Sequence, residues 1–333
     1  MIAIIPVAGI GTQLRPHTYS QPKSLIPVAG KPILGYIIEQ LKAVNINDFV
    51  FVIGYLGEKI KEYVEANYPD INKKYVVQES REGLGQAIWL TKNSIPKDSE
   101  VIIVLGDTII DANINTILES ENSVLAVKRV EDPRKFGVAQ IDESNRIIQV
   151  AEKPKIPKSN MALVGLYKIK EYASLISVLE ENIKQKNKSN NEYLLTDGIQ
   201  QLIAKHNVVF EAFKVDNWYD CGQKEVLLQT NALLLKRNKK KSVKNLKNVH
   251  NTIIVEPVII GKDTIISDSI IGPNVTIGNN AVIRNSIIKD SIIGDYTNLK
   301  SIMLHQSLIG NDTDIKGASQ CLNIGDNTEL DLR

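Results

Sequence analysis

The sequence predicts an α/β domain built on a mostly parallel sheet, followed by a short parallel β-helix. Three observations carry that expectation. Up to about residue 230, short β-branched apolar runs alternate with segments of helical period. From about Thr252, isoleucine returns every five or six residues, often with glycine behind it. The 333 residues also exceed the roughly 250–300 at which single cores stop growing, so two domains are expected.

The runs AIIPVA, FVFVIG, KYVVQ and VIIVLGD are nearly all apolar, as strands covered on both faces must be. Between them KPILGYIIEQLKAVN, EKIKEYVEANY and GLGQAIWLTKNS place apolar residues at i, i+3, i+4 spacing, giving each helix one face to lay on the sheet. Such alternation produces parallel neighbours, and ligands bind beyond the carboxyl ends of the strands. The loops after the first and fourth strands therefore draw attention. After Lys170 come a helical segment, the polar loop KQKNKSNNEY and a helix opening at TDGIQQLIAKH. The strand VVFEAFKV, the turn DNWYDCGQ and the helix KEVLLQTNALLLKR complete the domain.

Ile260, Ile266, Ile271, Ile277, Ile283, Ile288, Ile293, Leu299, Ile309 and Ile315 then mark a hexapeptide repeat. Each coil of such a repeat has three flat faces, and each inward isoleucine stacks on the next coil, contributing about 1.5–3 kcal/mol of burial. The expected division is a first domain over 1–235, a basic linker over 236–250 and the repeat domain over 251–333.

Composition narrows the function classes. A net charge of +2 and pI near 8.3 give no strong field for nucleic acid or a membrane surface. The basic cluster KRNKKKSVKNLKN, Lys236 to Asn248, reads as a solvated linker. Cys221 and Cys321 lie far apart without metal-ligand spacing, which points to a reducing compartment and no disulfide framework. The first residues lack a basic leader, and no apolar run approaches the roughly 20 residues that cross a bilayer. A cytoplasmic protein is expected.

The loop IPVAGIGTQLRPHTYSQPKSLIPVAGKPIL crowds glycines and cations behind the first strand. Glycine-rich backbone can converge its amides on an anion, although AGIGT would also serve as an ordinary tight turn. Neither generic phosphate motif fits: Leu14 takes the third glycine of the dinucleotide pattern, and AGKP lacks the parts of a triphosphatase loop. In VLGDT, Asp107 closes a buried strand, where it can cap a helix or ligate a hard cation. Asp220 in NWYDCG supplies a second carboxylate at a strand end.

Together these residues resemble the sugar-1-phosphate nucleotidyltransferases, especially the glucose-1-phosphate thymidylyltransferase branch. The resemblance covers Met1 to about Leu235, with QESREGLGQA, VLGDT, FGVAQ, AEKP, LVGLY and WYDCGQKEVLLQTN following the signature loop in order. It implies a Rossmann-like nucleotidyltransferase domain with a mostly parallel mixed sheet; the trailing repeat, a left-handed parallel β-helix, also occurs in this superfamily. By resemblance, Ala8, Gly9, Gly11 and Thr12 hold the nucleotide, and Gln78, Gly83 and Gly85 read its base. Lys23 matches the lysine on phosphate, and Asp107 with Asp220 the pair that holds catalytic Mg²⁺. Gly137, Glu152, Lys153 and Gly165 match the sugar-phosphate pocket. Glu152–Lys153 would equally suit a surface pair, and Gly165 a packing site.

The implied reaction joins a sugar 1-phosphate, glucose 1-phosphate foremost, to dTTP or UTP. Gln13 stands where the family usually has arginine directed at the triphosphate, and Arg15, two residues later, is expected to take over part of that catalytic role. An amide brings hydrogen bonds but no charge and no guanidinium fork. The alternative expectation is therefore a weakly active or non-catalytic paralogue that binds nucleotide sugar and regulates or scaffolds. Acyl transfer on the β-helix, where His305 is the histidine of the repeat, is a third class. The flat faces and apolar ends of the repeat predict a homo-oligomer.

Overall fold

The computed structural model describes residues 1–237 and 248–318. Most of the expected linker, and Cys321, lie outside the described residues. Contacts divide the chain into one unit of Met1–Pro27 and Lys31–Leu227 and a second of Val28–Gly30 and Leu228–Arg333.

In chain order the elements before the repeat are β1 (Ile2–Pro6), the short β2 (Pro27–Val28) and β3 (Lys31–Pro32), α1 (Ile33–Lys42), β4 (Asp48–Ile53), α2 (Gly57–Asn67), β5 (Asn72–Val77) and α3 (Leu84–Trp89). β6 (Val101–Val104), β7 (Thr108–Asp111), α4 (Ile114–Glu119), β8 (Ser123–Arg129), β9 (Gly137–Ile141), β10 (Ile147–Glu152) and β11 (Met161–Ile169) follow. α5 (Tyr172–Lys184), α6 (Leu195–His206), β12 (Phe210–Lys214), β13 (Asn217–Asp220) and α7 (Lys224–Arg237) end the series.

The main sheet runs β10-β9-β11-β6-β1-β4-β5, with β8 joined to β11 and β12. β6, β1, β4 and β5 are parallel, as the alternation of strand and helix demands. β11 enters antiparallel to β6, β8 and β9, so the sheet is mixed, and both its parallel and its antiparallel halves contribute to the site. Ile4 and Ile103 are fully buried on neighbouring strands, and such side chains each contribute about 1.5–3 kcal/mol. The Rossmann-like nucleotidyltransferase architecture read from the sequence is the one observed.

A separate antiparallel ribbon pairs β7 with β13, setting Thr108 opposite Asp220. The Cys221 amide donates to the Asp107 carbonyl at 3.0 Å. This ribbon brings together two carboxylates that the chain carries far apart.

The repeat forms three parallel sheets of five, four and four strands. Val249, Ile266, Ile283, Leu299 and Ile315 stack in one ladder. Ile254, Ile271, Ile288 and Leu304 form the second. Ile260, Ile277, Ile293 and Ile309 form the third. Ile266, Ile271, Ile283 and Ile288 are completely buried, and the outermost rungs only partly. This is a short left-handed parallel β-helix. Glycines recur in the coil corners because neighbouring coils approach closely: a Cβ on Gly278 would lie 2.3 Å from Asp295 Oδ1.

Candidate functional site

Two cavities open beyond the carboxyl ends of β1, β5 and β6. The larger, about 310 Å³, is lined by Ala8, Gly9, Lys23, Gln78 and Gly83, among others. The smaller, about 220 Å³, is lined by Gly137, Glu152, Asp220 and their neighbours. Asp107, Leu84, Leu105 and Glu192 line both. The two spaces therefore share a wall, and Asp107 stands in it.

β1 ends at Pro6, and the Val7 amide still bonds to Val52 O at 2.8 Å before the chain leaves the sheet. A Cβ on Gly9 would meet nothing within 4 Å. No protein atom excludes a side chain there; the bare backbone leaves room for something else. Gly11 differs. It has φ of 69°, and a Cβ would sit 3.0 Å from Lys23 Cβ and Thr18 Cγ2, so its glycine is set by local packing. Its carbonyl accepts the Thr18 hydroxyl at 2.8 Å.

Lys23 opens a short turn, Lys23–Leu25, and its ammonium donates to Asp107 Oδ2. A point one Cβ out from Gly222 lies 2.9 Å from Lys23 Nζ, 3.0 Å from Asp220 Oδ1 and 3.6 Å from Gln13 Oε1. These groups thus form one cluster. Burial first, and then the charge of Asp107, raises the Asp220 pKa above the usual carboxylate value. Lys23 and the Gly222 amide, 3.1 Å from Asp220 Oδ1, pull the other way.

A largely buried carboxylate whose ionisation the charge of Asp107 makes costlier, beside the Lys23–Asp107 ion pair, suits a cation. Among the described residues no group of three or more His, Cys, Asp or Glu side chains gathers to hold a metal. The pair thus fits a hard divalent ion that takes its remaining oxygens from ligand phosphates and water, as Mg²⁺ does, and does not fit an all-protein cage.

On the smaller cavity, Glu152 accepts from the Thr196 hydroxyl at 3.3 Å. Burial raises its pKa, with Lys153 and the Thr196 bond opposing. A Cβ on Gly137 would lie 3.1 Å from Glu152 Oε2. Trp218 and Phe136 pack edge to face at 4.9 Å, and Trp218 Nε1 donates to Thr108 Oγ1 at 2.7 Å. The lining thus combines aromatic rings with charged groups.

Gly11, Thr12, Gln13, Arg15, Gly85, Lys153 and Gly165 line neither cavity. Arg15 is exposed, its guanidinium over the Tyr19 ring at 5.0 Å. The Gly85 amide donates to Tyr193 O at 2.7 Å, and a Cβ there would strike the same carbonyl. Gly165 has φ of 85°, and its Cβ would lie 2.7 Å from Leu105 Cδ1. Both glycines admit a close neighbour behind the cavity wall. Lys153, with φ of 41°, donates its amide to Phe136 O at 3.0 Å.

Sequence reasoning missed Arg81, Lys135, Glu192 and Trp218 as lining residues. Trp218 had a signal, its place two residues before Asp220; the other three stand in polar loops whose pattern marks no face. His305, in the β-helix, is exposed and lies 3.3 Å from Asp290.

Comparison with known proteins gives the family and the fold. Residues 2–237 match the family described as Nucleotidyl transferase. The bifunctional protein GlmU of Methanococcus maripaludis is 37% identical over 323 residues, covering 96% of this chain and 72% of that protein. The chain spans only 54% of the length of the GlmU of Methanocaldococcus jannaschii. A glucose-1-phosphate thymidylyltransferase of Streptomyces griseus is 28% identical over 286 residues, 79% of each chain. A solved UDP-glucose pyrophosphorylase complexed with UDP-glucose shares the fold, with TM-score 0.63 at 24% identity over 71% of this chain and 99% of that one.

Proposed function

The chain belongs to the nucleotidyl transferase family, and we propose that it joins glucose 1-phosphate to dTTP or UTP, giving the nucleoside-diphosphate sugar and pyrophosphate. The observation that carries this reading is the cluster of Lys23, Asp107 and Asp220 at the wall shared by two cavities. One cavity takes the nucleotide and the other the sugar phosphate, so their phosphates meet at Asp107. The thymidylyltransferase relative, similar over most of both chains, supports the choice of glucose 1-phosphate.

A phosphate oxygen of the sugar 1-phosphate attacks the α-phosphorus, and the bond to the bridging oxygen of pyrophosphate breaks. The second pKa of a phosphate monoester is near ~6, so the nucleophile is already ionised at neutral pH and needs no general base. The obstacle is repulsion between anions and charge growing on the leaving group. Mg²⁺, held by Asp107 and Asp220, would supply electrostatic neutralisation of the phosphates. Lys23 moves from Asp107 to phosphate oxygen and holds the two reactants in line. Ala8 and the bare Gly9 backbone let the nucleotide approach closely, while Gln78 and Gly83 face its base. Gly137 and Glu152 receive the sugar, the carboxylate accepting from its hydroxyls.

The same reading takes the protein as a homo-oligomer associating through the β-helix. Ile253, Ile270, Ile287 and Met303 stack in register on one outer face, exposed by 61%, 37%, 40% and 74%. A second reading, a weakly active regulatory paralogue, rests on Gln13, which stands in the cluster without a charge. Purified protein assayed with Mg²⁺ against a panel of triphosphates and sugar 1-phosphates separates them. Fast turnover of glucose 1-phosphate with dTTP or UTP supports the first; binding without turnover supports the second; a preference for GTP rejects the assignment of the base.

A further inference from the structure

Gln78 is 6% exposed at the end of β5 and lines the larger cavity. Its amide nitrogen donates to the Gly83 carbonyl at 3.1 Å and to Gln86 Oε1 at 2.7 Å. The two ends of an amide are told apart only by their partners, and here the partners decide. The Gly83 carbonyl can only accept. Gln86, 9% exposed and lining neither cavity, donates its own nitrogen to Glu82 Oε2 at 3.1 Å. Its oxygen also accepts the Glu82 backbone amide at 3.3 Å. The Glu82 carboxylate, bound through its other oxygen to Lys188 at 2.8 Å, can likewise only accept. Donation therefore runs one way, from Gln78 through Gln86 to Glu82. Both hydrogens of the Gln78 amide are taken, and only its Oε1 is left for a ligand.

We infer that Glu82 and Gln86 are positioning residues for base selection, locking the Gln78 amide so that it presents an acceptor, and only an acceptor, to the base. This rests on the function proposed above. Uracil and thymine carry a hydrogen on N3 and satisfy Oε1. Cytosine carries a bare N3 and sets acceptor against acceptor. A free glutamine would turn its amide over and serve either base. Here the turn would aim Oε1 at the Gly83 carbonyl and at Gln86 Oε1, leaving buried acceptors opposed. Discrimination against cytosine is thus built behind the cavity, by residues that never touch the nucleotide.

The test is equilibrium binding of UTP and CTP, by calorimetry with Mg²⁺, to the full-length chain and to its Gln86→Met and Glu82→Gln variants. Wild type is expected to prefer UTP by at least about 100-fold, as sites built around a buried polar partner do. Gln86→Met, which releases one amide hydrogen, lowers that ratio roughly tenfold, mainly by tightening CTP. Glu82→Gln lets the chain of donors reverse and lowers it by less. A merely structural role would weaken both nucleotides equally and leave the ratio unchanged. A ratio within about twofold of wild type in both variants overturns the inference, as does wild type that fails to distinguish the two or binds neither. Should Gln86→Met not fold, Glu82→Gln at the loop surface decides alone. Selective UTP binding without transfer of any sugar would sink the proposed function and leave the lock standing.

Discussion

In the β-helix the Ser286 hydroxyl donates to Arg284 O at 2.7 Å and accepts the Ile302 amide at 3.3 Å. At the cavity wall Asp220 accepts one amide from Gly222 and confronts the charge of Asp107. Both are polar and largely withdrawn from water, yet they answer to different demands. Ser269, Ser286 and Ser291 each close a bond to their own turn and accept an amide from the next coil. At another corner Asn279, Asp295 and Asn311 each accept an amide from the preceding coil. These bonds between coils stabilise the stack. Asp220 opposes the fold that holds it, and Lys23, paired with Asp107, offsets part of that cost together with the Gly222 amide. Groups that the fold would be better without are where chemistry is to be sought.

The largest effect should come from crossing the two cases. Asp107→Asn or Asp220→Asn is expected to lower kcat by about 10³-fold or more; for Asp220→Asn the melting temperature stays level or rises because a buried charge has gone, whereas Asp107→Asn also gives up its ion pair with Lys23. Wild-type rates for Asp220→Asn at limiting Mg²⁺ would remove the two-carboxylate site. Gln13→Arg comes next. A donor aimed at developing charge is worth roughly 10²–10³ in rate, and restoring one beside Lys23 should recover a substantial part of it, with KM changing less. Arg15→Ala should change little, since its guanidinium lies over Tyr19. No gain from the first together with a collapse from the second would place the triphosphate elsewhere on the loop.

Ser286→Ala inverts the pattern. Leaving the Ile302 amide without its partner should cost about 1–3 kcal/mol in denaturant unfolding and leave kcat unchanged. The smallest effect belongs to Glu152. Its pKa is raised in the folded protein, chiefly by burial, so the fold favours the protonated acid. That contribution is full below the ordinary glutamate value and is lost as pH rises through the raised one. Glu152→Gln should therefore flatten the pH dependence of stability, gaining on wild type as pH increases. Urea midpoints that run parallel across the acid range would show that the burial carries no cost.

Much of this was legible beforehand, for identifiable reasons. The repeat declares itself because each coil must put an isoleucine on the same axis; Ile266, Ile283 and Leu299 follow from spacing alone. Strand and helix alternate visibly because each must hide one apolar face. Asp107 and Asp220 could be singled out as carboxylates at strand ends, and Lys23 through the resemblance of its loop. The glycines were harder. Gly9, Gly85 and Gly165 look alike in a motif, yet only Gly9 lines a cavity, while the other two make room for Tyr193 and for Leu105.

The order of residues by itself determined the two architectures, the residue types of the site and the loops that carry them, because periodicity and turn chemistry are local. Only the tertiary structure decided that Asp107 and Asp220 meet, through pairing of β7 with β13, and that Arg15 turns away to Tyr19 while Gln13 stays. It also decided what Gln78 can offer. An amide reads equally well in either orientation until Gly83, Gln86 and Glu82 surround it, and hydrogen-bond direction belongs to the neighbours a side chain acquires on folding.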